Sequence, residues 1–493
     1  MNAPKNSSLG GEAVRLTASK FITLCITLAT TMLLSRYRST EEYGTYSELL
    51  LVINLVTSLL MLGLPNSINY FLARADTQEE RRHFLSVYYT LSTLLSAVIG
   101  AILVLALPLI ERFFHNPGIR AYCYFLVLYP WATIISASIE NVLVVYKQTR
   151  FLMLFRIVHS AAMLGVVLAV QWIGCGFQEY MAAFVAVNAA FAAAVYLIAA
   201  KLSGGLRPSF DRKLIRAVFV FSIPMGLATA VGTLNAEIDK LLIGYLLNTE
   251  QLAIYTNAAK ELPVVIVAAS ITAVLLPQLT RMIKVGNVRG AIELWNTATE
   301  LAFIVVALLV AGIFTYAEDV LTFLYSEKYL PGVQVFRIYT LNLLLRCTYF
   351  GIILNACGQT KKIFYCSLGS LGLNIVLNPL FYWLFGMIGP AIATFVAILA
   401  ILLLQLRMTA KLVDMPFAAM FPWKAAAAVL AVNAGFSAVF HILKKLLPAQ
   451  MFLGELGESL LLGAVWSLLY LLMMKKKLLS CWHQINRRGE QSC

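Results

Sequence analysis

The residues of this sequence that could do chemistry are charged side chains placed within long apolar segments. The clearest set is Glu237, Asp239 and Lys240, which interrupt the apolar segment 217–247. Wound as a helix at about 3.6 residues per turn, the segment carries Asp239 and Lys240 on a polar face, with Glu237 at its border. A charge at the centre of a membrane helix costs ~2.5–3.5 kcal/mol, so each one needs water, a partner or a ligand. We therefore predict that Lys240 binds substrate and that Asp239 and Glu237 act in ion coupling or gating.

Pairing among charges is the alternative explanation of this set. Lys260 and Glu261 follow in the next apolar segment. Ion pairs between them and Asp239 or Lys240 would stabilise a helix bundle without any role in transport. Both explanations remain open at the level of sequence, and under the first of them Lys260 is also predicted to bind substrate.

A second polar set lies in the segment 332–356. Arg346 falls near its middle, and Tyr339, Asn342 and Tyr349 share its face in helical projection. The planar guanidinium fits phosphate oxygens, and aromatic rings and amides are common partners of sugars, so the set predicts binding of a phosphorylated glycan. The alternative is an ion pair between Arg346 and Glu300 of the preceding segment.

Three charged residues near the amino terminus complete the candidates. Lys20 lies about one turn inside the first apolar segment and is predicted to bind substrate. Glu140 and Arg156 lie near the same end of two neighbouring segments and predict a structural pair or a gate. Because cations and carboxylates are mixed in the whole set, an anionic substrate is favoured over a cationic one.

Catalytic and metal chemistry have little support in the sequence. The eight cysteines and five histidines are scattered without metal-ligand spacing. A phosphate-binding G-x-x-x-x-G-K-[ST] loop is absent. The longest interior loop, 201–216, is too short to fold as a soluble domain. We predict no enzymatic activity, no catalytic residue, no metal and no cofactor.

Long apolar segments position these residues. A composition of 60% hydrophobic and 13% charged residues, with segments near the ~20 residues that cross a ~30 Å hydrocarbon core, predicts an all-α polytopic membrane protein. Most of the 38 Lys and Arg fall on one side of the resulting topology, which places both termini in the cytoplasm. Contact of these loops with anionic headgroups accounts for the net charge of +14 without nucleic acid. The fourteen predicted spans are 17–35, 46–73, 84–110, 119–146, 152–172, 180–200, 217–247, 252–276, 294–316, 332–356, 364–385, 388–406, 423–443 and 460–474.

A repeated pattern indicates an internal duplication. Thr40, Glu41 and Tyr46 recur as Thr249, Glu250 and Tyr255, and the Leu-Pro pair at 64–65 recurs at 276–277. Both halves begin on the cytoplasmic side, so the repeat is parallel, with a pseudo-two-fold axis along the membrane normal. The predicted organisation is a six-helix bundle at 1–200, a cytoplasmic linker at 201–216, a second six-helix bundle at 217–410, and two additional helices with a basic tail at 411–493.

Motifs along nearly the whole chain carry a family resemblance. They are LLSRYRSTEEYGTYS, LGLPNSINYFLAR, EIDKLLIGYLLNTEQLAIYTNAAKELP, LLPQL, FLYSEKYLPG, LNACGQTKK and LGLNIVLNPLFYWLFGMIGPAIAT. In these motifs the chain resembles the Wzx-type polysaccharide and O-antigen flippases of bacteria, relatives of the MATE antiporters and of lipid II flippases in the multidrug/oligosaccharidyl-lipid/polysaccharide exporter superfamily. By the same resemblance, Asp239 matches a family aspartate, and Asn374 and Asn378 match family asparagines.

The resemblance implies fold, substrate and place. The fold would be two six-helix bundles in a V shape plus two carboxy-terminal helices. The activity would be alternating-access translocation of undecaprenyl-diphosphate-linked oligosaccharide across the bacterial inner membrane. Its partners would be this lipid-linked oligosaccharide, membrane lipids, and assembly proteins such as a polysaccharide polymerase, and the chain would be a monomer that binds no nucleic acid. A MATE-like antiporter of cationic or drug molecules is the alternative.

Overall fold

The structure, a computed structural model, describes residues 9–260, 262–446 and 454–490. In these ranges every regular element is helical. The α-helices are α1 (Leu9–Tyr37), α2 (Thr40–Leu60), α3 (Leu64–Arg74), α4 (Gln78–Leu105), α5 (Leu107–Phe114), α6 (Cys123–Val145), α7 (Thr149–Ile173), α8 (Phe177–Ser203), α9 (Arg212–Leu246), α10 (Thr249–Ala258), α11 (Val265–Lys284), α12 (Val288–Thr315), α13 (Ala317–Tyr325), α14 (Val333–Leu345), α15 (Ile352–Ala356), α16 (Thr360–Phe385), α17 (Gly389–Leu412), α18 (Trp423–Leu446) and α19 (Gly454–Glu490).

Local sequence signals explain where α2 begins and ends. Ser39 and Glu42 form a capping box, in which Ser39 Oγ accepts from the backbone N–H of Glu42 and Glu42 Oε2 accepts from that of Ser39, each at 3.0 Å. The helix stops where Leu62 and Gly63 take positive φ values of 50° and 70°. A Cβ at Gly63 would lie 2.6 Å from the backbone nitrogen of Gly226 on α9, so only glycine permits this close approach.

Four predicted spans are interrupted in the structure. The span 46–73 is split between α2 and α3, the span 84–110 between α4 and α5, the span 252–276 between α10 and α11, and the span 332–356 between α14 and α15. Ten segments of the described chain are long and apolar enough to cross a membrane, and one of them, Thr360–Leu412, contains both α16 and α17. The protein is therefore an all-α polytopic membrane protein, and the number of fourteen spans stays a prediction.

The order of elements repeats along the chain. A long helix, a short helix, a 3₁₀ turn and another long helix occur as α4, α5, Pro117–Tyr122 and α6, and again about 210 residues later as α12, α13, Glu327–Gly332 and α14. The pair α7 and α8 recurs as α16 and α17 at nearly the same spacing. This succession supports the duplication that the short sequence repeats indicate.

The chain forms two compact units, Met1–Ala253 and Ile254–Cys493. In the first unit, the core lies among α3, α4, α6 and α8, and α9 packs against α2 and α3. The sequence places α9 in the second bundle, whereas its contacts group it with the first unit. The predicted boundaries at 200, 216 and 410 stay a prediction.

The second unit is organised around α12. Helices α11, α14, α18 and α19 all pack on it. Trp466 of α19 stacks on Phe436 and Phe440 of α18, and the Tyr470 hydroxyl donates to the Ile304 carbonyl oxygen at 3.1 Å. The two carboxy-terminal helices are therefore an integral part of this unit. Helix α19 also extends well beyond the predicted span 460–474.

Candidate functional site

Helices α1, α6 and α7 of the first unit line an open cavity of about 400 Å³. Three of its charged lining residues are ones that the sequence singles out, namely Lys20 on α1, Glu140 on α6 and Arg156 on α7. His159 on α7 and Thr23 on α1 add polar groups. The structure thus brings together residues that are up to 136 positions apart in the sequence.

Helical spacing explains why these side chains meet. Lys20, Thr23, Leu24 and Thr27 follow the i, i+3, i+4, i+7 pattern that places residues on one face of α1. On α7 the lining residues Arg156, His159 and Ser160 have the same spacing. Since α1 and α7 pack closely along their lengths, the two polar faces are held opposite each other. The cavity is therefore a product of helix register and packing.

Two cations share one carboxylate in this cavity. Arg156 donates to Glu140 Oε2 in a short hydrogen-bonded ion pair, and Lys20 Nζ lies 3.6 Å from Glu140 Oε1. The Lys20 side chain is 61% exposed, whereas that of Arg156 is only 19% exposed. The cluster has one positive charge in excess, and Lys20 is free to turn towards a ligand.

Other polar atoms of the cavity are buried. Arg156 Nη1 has no hydrogen-bond partner among the residues that the structure describes, and the same holds for the Thr23 hydroxyl. His159 Nε2 lies 3.2 Å from Asn188 Oδ1, which fixes its ring from behind. A cationic fork with one unused N–H edge suits an anion with several oxygens.

The charged residues of α9 are placed differently from the cavity set. Lys240 Nζ bonds Glu237 Oε2 at 2.7 Å and the Ala236 carbonyl oxygen at 3.3 Å. Asp239 is 1% exposed, and its Oδ1 accepts from the backbone N–H of Lys240 at 2.8 Å. Lys240 and Glu237 therefore pair on their own helix. Glu261 lies outside the described residues, and the roles of Lys240, Glu237, Asp239 and the half-buried Lys260 stay predictions.

The predicted continuous face around Arg346 is wrong. Helix α14 ends at Leu345, and Arg346 is the half-buried residue that caps it. Tyr349 lies beyond the helix end, so it does not continue the face of Tyr339 and Asn342. The helix ends there because the chain forms turns from Arg346 to Gly351 before α15 begins.

The remaining members of this set lie within the second unit. Tyr339 packs edge-on against Tyr255 with ring centroids 6.3 Å apart, and Asn342 is buried. Glu300 binds Lys477 of α19 at 2.6 Å, and among the described residues it forms no ion pair with Arg346. Binding of substrate by Arg346, Asn342, Tyr339 and Tyr349 stays a prediction.

Two buried asparagines and one glutamate lie apart from these sets. Asn374 and Asn378 lie one turn apart on α16, and both are buried. Glu48, on α2, is 0% exposed and is absent from the residues predicted above. Alignment of the two repeats could have revealed it, because Glu48 follows Tyr46 as Asn257 follows Tyr255. One repeat thus carries a carboxylate where the other carries an amide.

Ionic residues around a cavity in a helical membrane fold are typical of transporters, since intramembrane charges often mark substrate and ion pathways. The chain belongs to the polysaccharide biosynthesis protein family, whose sequence profile matches residues 33–334, more than half of its length. The predicted relationship to this family is confirmed. At the level of class, the protein is a polytopic membrane protein of the polysaccharide biosynthesis family.

Solved structures show the same fold. The lipid II flippase MurJ in an inward closed conformation is 16% identical, with a TM-score of 0.72 over 94% of this chain and 100% of that chain. A multidrug resistance MATE family transporter of the MOP superfamily, in an inward-facing conformation, is 17% identical, with a TM-score of 0.64 over 82% of this chain and 99% of that chain. An uncharacterized membrane protein of Methanocaldococcus jannaschii is 24% identical over 388 residues, which cover 74% of this chain and 89% of the relative.

Proposed function

We propose that this protein is a flippase that translocates undecaprenyl-diphosphate-linked oligosaccharide repeat units across the bacterial inner membrane by alternating access. The product would serve surface polysaccharide biosynthesis, as O-antigen, capsule or exopolysaccharide. The observation that carries the proposal is the cavity in which Lys20 and Arg156 share the single carboxylate of Glu140. Membership of the polysaccharide biosynthesis family supports the class of substrate.

The charge of the cavity favours a diphosphate ligand. An excess positive charge within a bilayer needs a compensating anion or water. A diphosphate offers several oxygens to the planar fork of Arg156 and to the mobile ammonium of Lys20. Glu140 would then give up its cationic partners when the anion binds and recover them when it leaves. This exchange of partners couples substrate binding to the contact between α6 and α7.

We also propose a topology and partners for the protein. Both termini would lie in the cytoplasm, and the chain would work as a monomer beside a polysaccharide polymerase and other assembly proteins. Arg346, Asn342, Tyr339, Tyr349, Lys240 and Lys260 would contribute to the substrate path of the second half. Glu237 and Asp239 would contribute to coupling or gating.

Loss of Lys20 tests the proposal with little risk to folding, because its side chain is largely exposed to the cavity. In cells whose surface glycan depends on this protein, Lys20→Gln should lower surface glycan and raise lipid-linked precursor at unchanged protein abundance. The matched control is Lys201→Gln, which removes an exposed lysine at the end of α8, away from the cavity. Normal glycan export in Lys20→Gln cells would contradict the cavity's role. A deletion strain without precursor accumulation would contradict the function itself.

An ion-coupled antiporter of cationic molecules is the second candidate, because Glu140 is a carboxylate within the cavity. Under this function, Glu140→Gln should abolish drug resistance conferred by the protein, and Lys20→Gln should increase it. Under the flippase function, expression of the protein should leave drug sensitivity unchanged. Growth in the presence of a panel of cationic drugs distinguishes the two.

A further inference from the structure

Glu48 is a fully buried carboxylate on the third turn of α2. Its Oε2 accepts from Asn116 Nδ2 at 2.7 Å, and the same amide nitrogen donates to Thr45 Oγ1 at 3.0 Å. The Thr249 side chain, at the start of α10, faces the same carboxyl group. Glu48 Oε1 is buried and makes no hydrogen bond of good geometry within the described chain. The carboxyl group is therefore held by uncharged partners alone.

The orientation of Asn116 decides what the cluster can bind. Asn116 Oδ1 accepts from the backbone N–H of Gly118 at 3.0 Å, so the amide cannot be turned over without losing that bond. Its NH₂ group is thus fixed towards Glu48. A metal cation needs oxygen ligands, and an amide donor aimed into the site opposes one. A proton needs only the carboxylate oxygen itself.

The neighbouring charges do not neutralise Glu48. Among the described residues no Lys, Arg or His lies within ion-pair distance of its carboxylate. Several titratable groups on or beside the elements packed against α2 have other neighbours, and α4 has no charged residue from Phe84 to Leu105. These groups are Glu111 with Arg120, Glu140 with Arg156 and Lys20, Glu237 with Lys240, Asp239 with the Lys240 backbone, Arg38 with the Cys175 carbonyl oxygen, and His115 beside Tyr245.

The second repeat provides an internal comparison. Asn257 is the counterpart of Glu48 and is likewise fully buried. An amide at this position therefore satisfies the packing of the fold. A charged group carries a desolvation cost that an amide avoids, so the carboxylate of the first repeat has a purpose beyond packing.

We propose that Glu48 is a proton-binding site of the transport cycle, which alternates between a carboxylate and a carboxylic acid. The proposal rests on the transport function above. The carboxylate takes up one proton from the aqueous phase when the site is open to water, holds it as the neutral acid while its surroundings are dry, and returns it to the aqueous phase when the site opens again, so that no other reactant is consumed. The ligand class is the proton, and the binding atoms are the two carboxylate oxygens of Glu48.

Binding of the proton bears on one helix contact in particular. Gly44, one turn before Glu48, lies so close to Thr249 that a Cβ would stand 2.2 Å from the Thr249 carbonyl oxygen. Glu48 thus closes a tight junction between α2 and the turn that begins α10. The ionised form accepts from Asn116 and presents only acceptor oxygens to the nearby Thr249, whereas the protonated form carries an O–H donor on one of them. Proton binding therefore changes the hydrogen bonding at this junction.

Infrared difference spectroscopy on the purified full chain in lipid nanodiscs tests the proposal without any substrate. Between about pH 5.5 and 8.5, exposed Asp and Glu stay ionised, so a carboxylic acid C=O band that changes with pH reports a buried site. We expect this band in the wild-type protein, its loss in Glu48→Gln, and its displacement in Glu48→Asp. The matched control is Glu41→Gln, which removes an exposed carboxylate of the same helix and should leave the band unchanged.

Two results would overturn the proposal. One is persistence of the pH-dependent band in Glu48→Gln, or absence of this band from the wild-type protein. The other is a response of the Glu48 carboxylate to added sodium rather than to pH, which would make the site a sodium site. If Glu48→Gln does not fold, the displacement in Glu48→Asp decides, and an undisplaced band there contradicts the proposal. Because no glycan is present, failure of this experiment leaves the flippase function untouched, and normal glycan levels in a deletion strain would leave the proton site untouched.

Discussion

The variant Arg156→Ala tests whether Arg156 forms a purely structural ion pair with Glu140 or also binds substrate. Exposed ion pairs contribute ~0–1 kcal/mol, whereas breaking a buried pair costs ~3–5 kcal/mol. The side chains of Arg156 and Glu140 are 19% and 42% exposed, so this pair falls between the two limits. Lys20 remains 3.6 Å from Glu140 and offsets part of the loss. We expect Arg156→Ala to lower the free energy of unfolding by about 2 kcal/mol.

The double variant provides the decisive comparison. Arg156→Ala with Glu140→Gln removes both charges and should recover most of the stability, because no unpaired carboxylate is left behind. Glycan export should nevertheless stay lost, since the guanidinium that binds the diphosphate is missing. Arg156→Lys should recover export only in part, because an ammonium keeps the charge but not the two-pronged geometry.

The assays measure stability and transport separately. The fraction of protein that stays monodisperse after heating in detergent measures stability, and surface glycan with accumulated lipid-linked precursor measures transport. Recovery of export in the double variant would refute the binding role and leave Arg156 and Glu140 as a structural pair. Unchanged stability in Arg156→Ala would refute the estimate of the pair's strength.

Four further predictions follow from other parts of the molecule. Lys477→Ala should leave the Glu300 carboxylate without its cation and lower the free energy of unfolding by about 2 kcal/mol. The double variant with Glu300→Gln should recover this stability. Gly44→Ala should sharply lower membrane abundance, because its Cβ would clash with backbone, whereas Gly165→Ala, which has open space, should leave abundance unchanged in an immunoblot. Backbone hydrogen bonds at the start of α9, followed by the His83 side chain, lower the pKa of Asp211. Its contribution to stability is therefore present above about pH 4 and is lost as the pH falls through the lowered value, so acid unfolding curves should become less steep there in Asp211→Asn. A carboxy-terminal fusion to a fluorescent protein should be bright and one to alkaline phosphatase inactive, and the reverse pattern would contradict the predicted topology.

Properties that depend on local sequence were predicted well. The long apolar segments predict membrane helices because hydrophobic length is a property of consecutive residues. The repeated Thr-Glu-x₄-Tyr pattern predicts a duplication, and the element order repeats at about the same spacing. The motifs predict the family, which the profile match confirms.

Helix breaks inside apolar stretches were not predicted. Hydropathy stays high through Met61–Gly63, and leucines and isoleucines flank Arg346–Gly351 on both sides, so hydropathy gives little sign that α2 and α14 end there. The turn at Gly63 depends on a close contact with Gly226 of α9, which only the folded chain provides. As a result, the face predicted for Arg346 and Tyr349 was drawn on a helix that stops at Leu345.

The sequence by itself determined which residues are charged within the membrane, and only the tertiary structure decided which of them meet. Glu140 with Arg156 was anticipated because both lie at the same end of neighbouring helices, but the addition of Lys20 from α1 depends on how α1 packs on α7. Glu300 binds Lys477 from the far end of the chain rather than Arg346. Glu48 is not among the residues predicted from the sequence, because its burial against Asn116 depends on the folded chain. The physical reason is that partner choice for a buried charge depends on distances of a few ångströms, which helix register and packing set together.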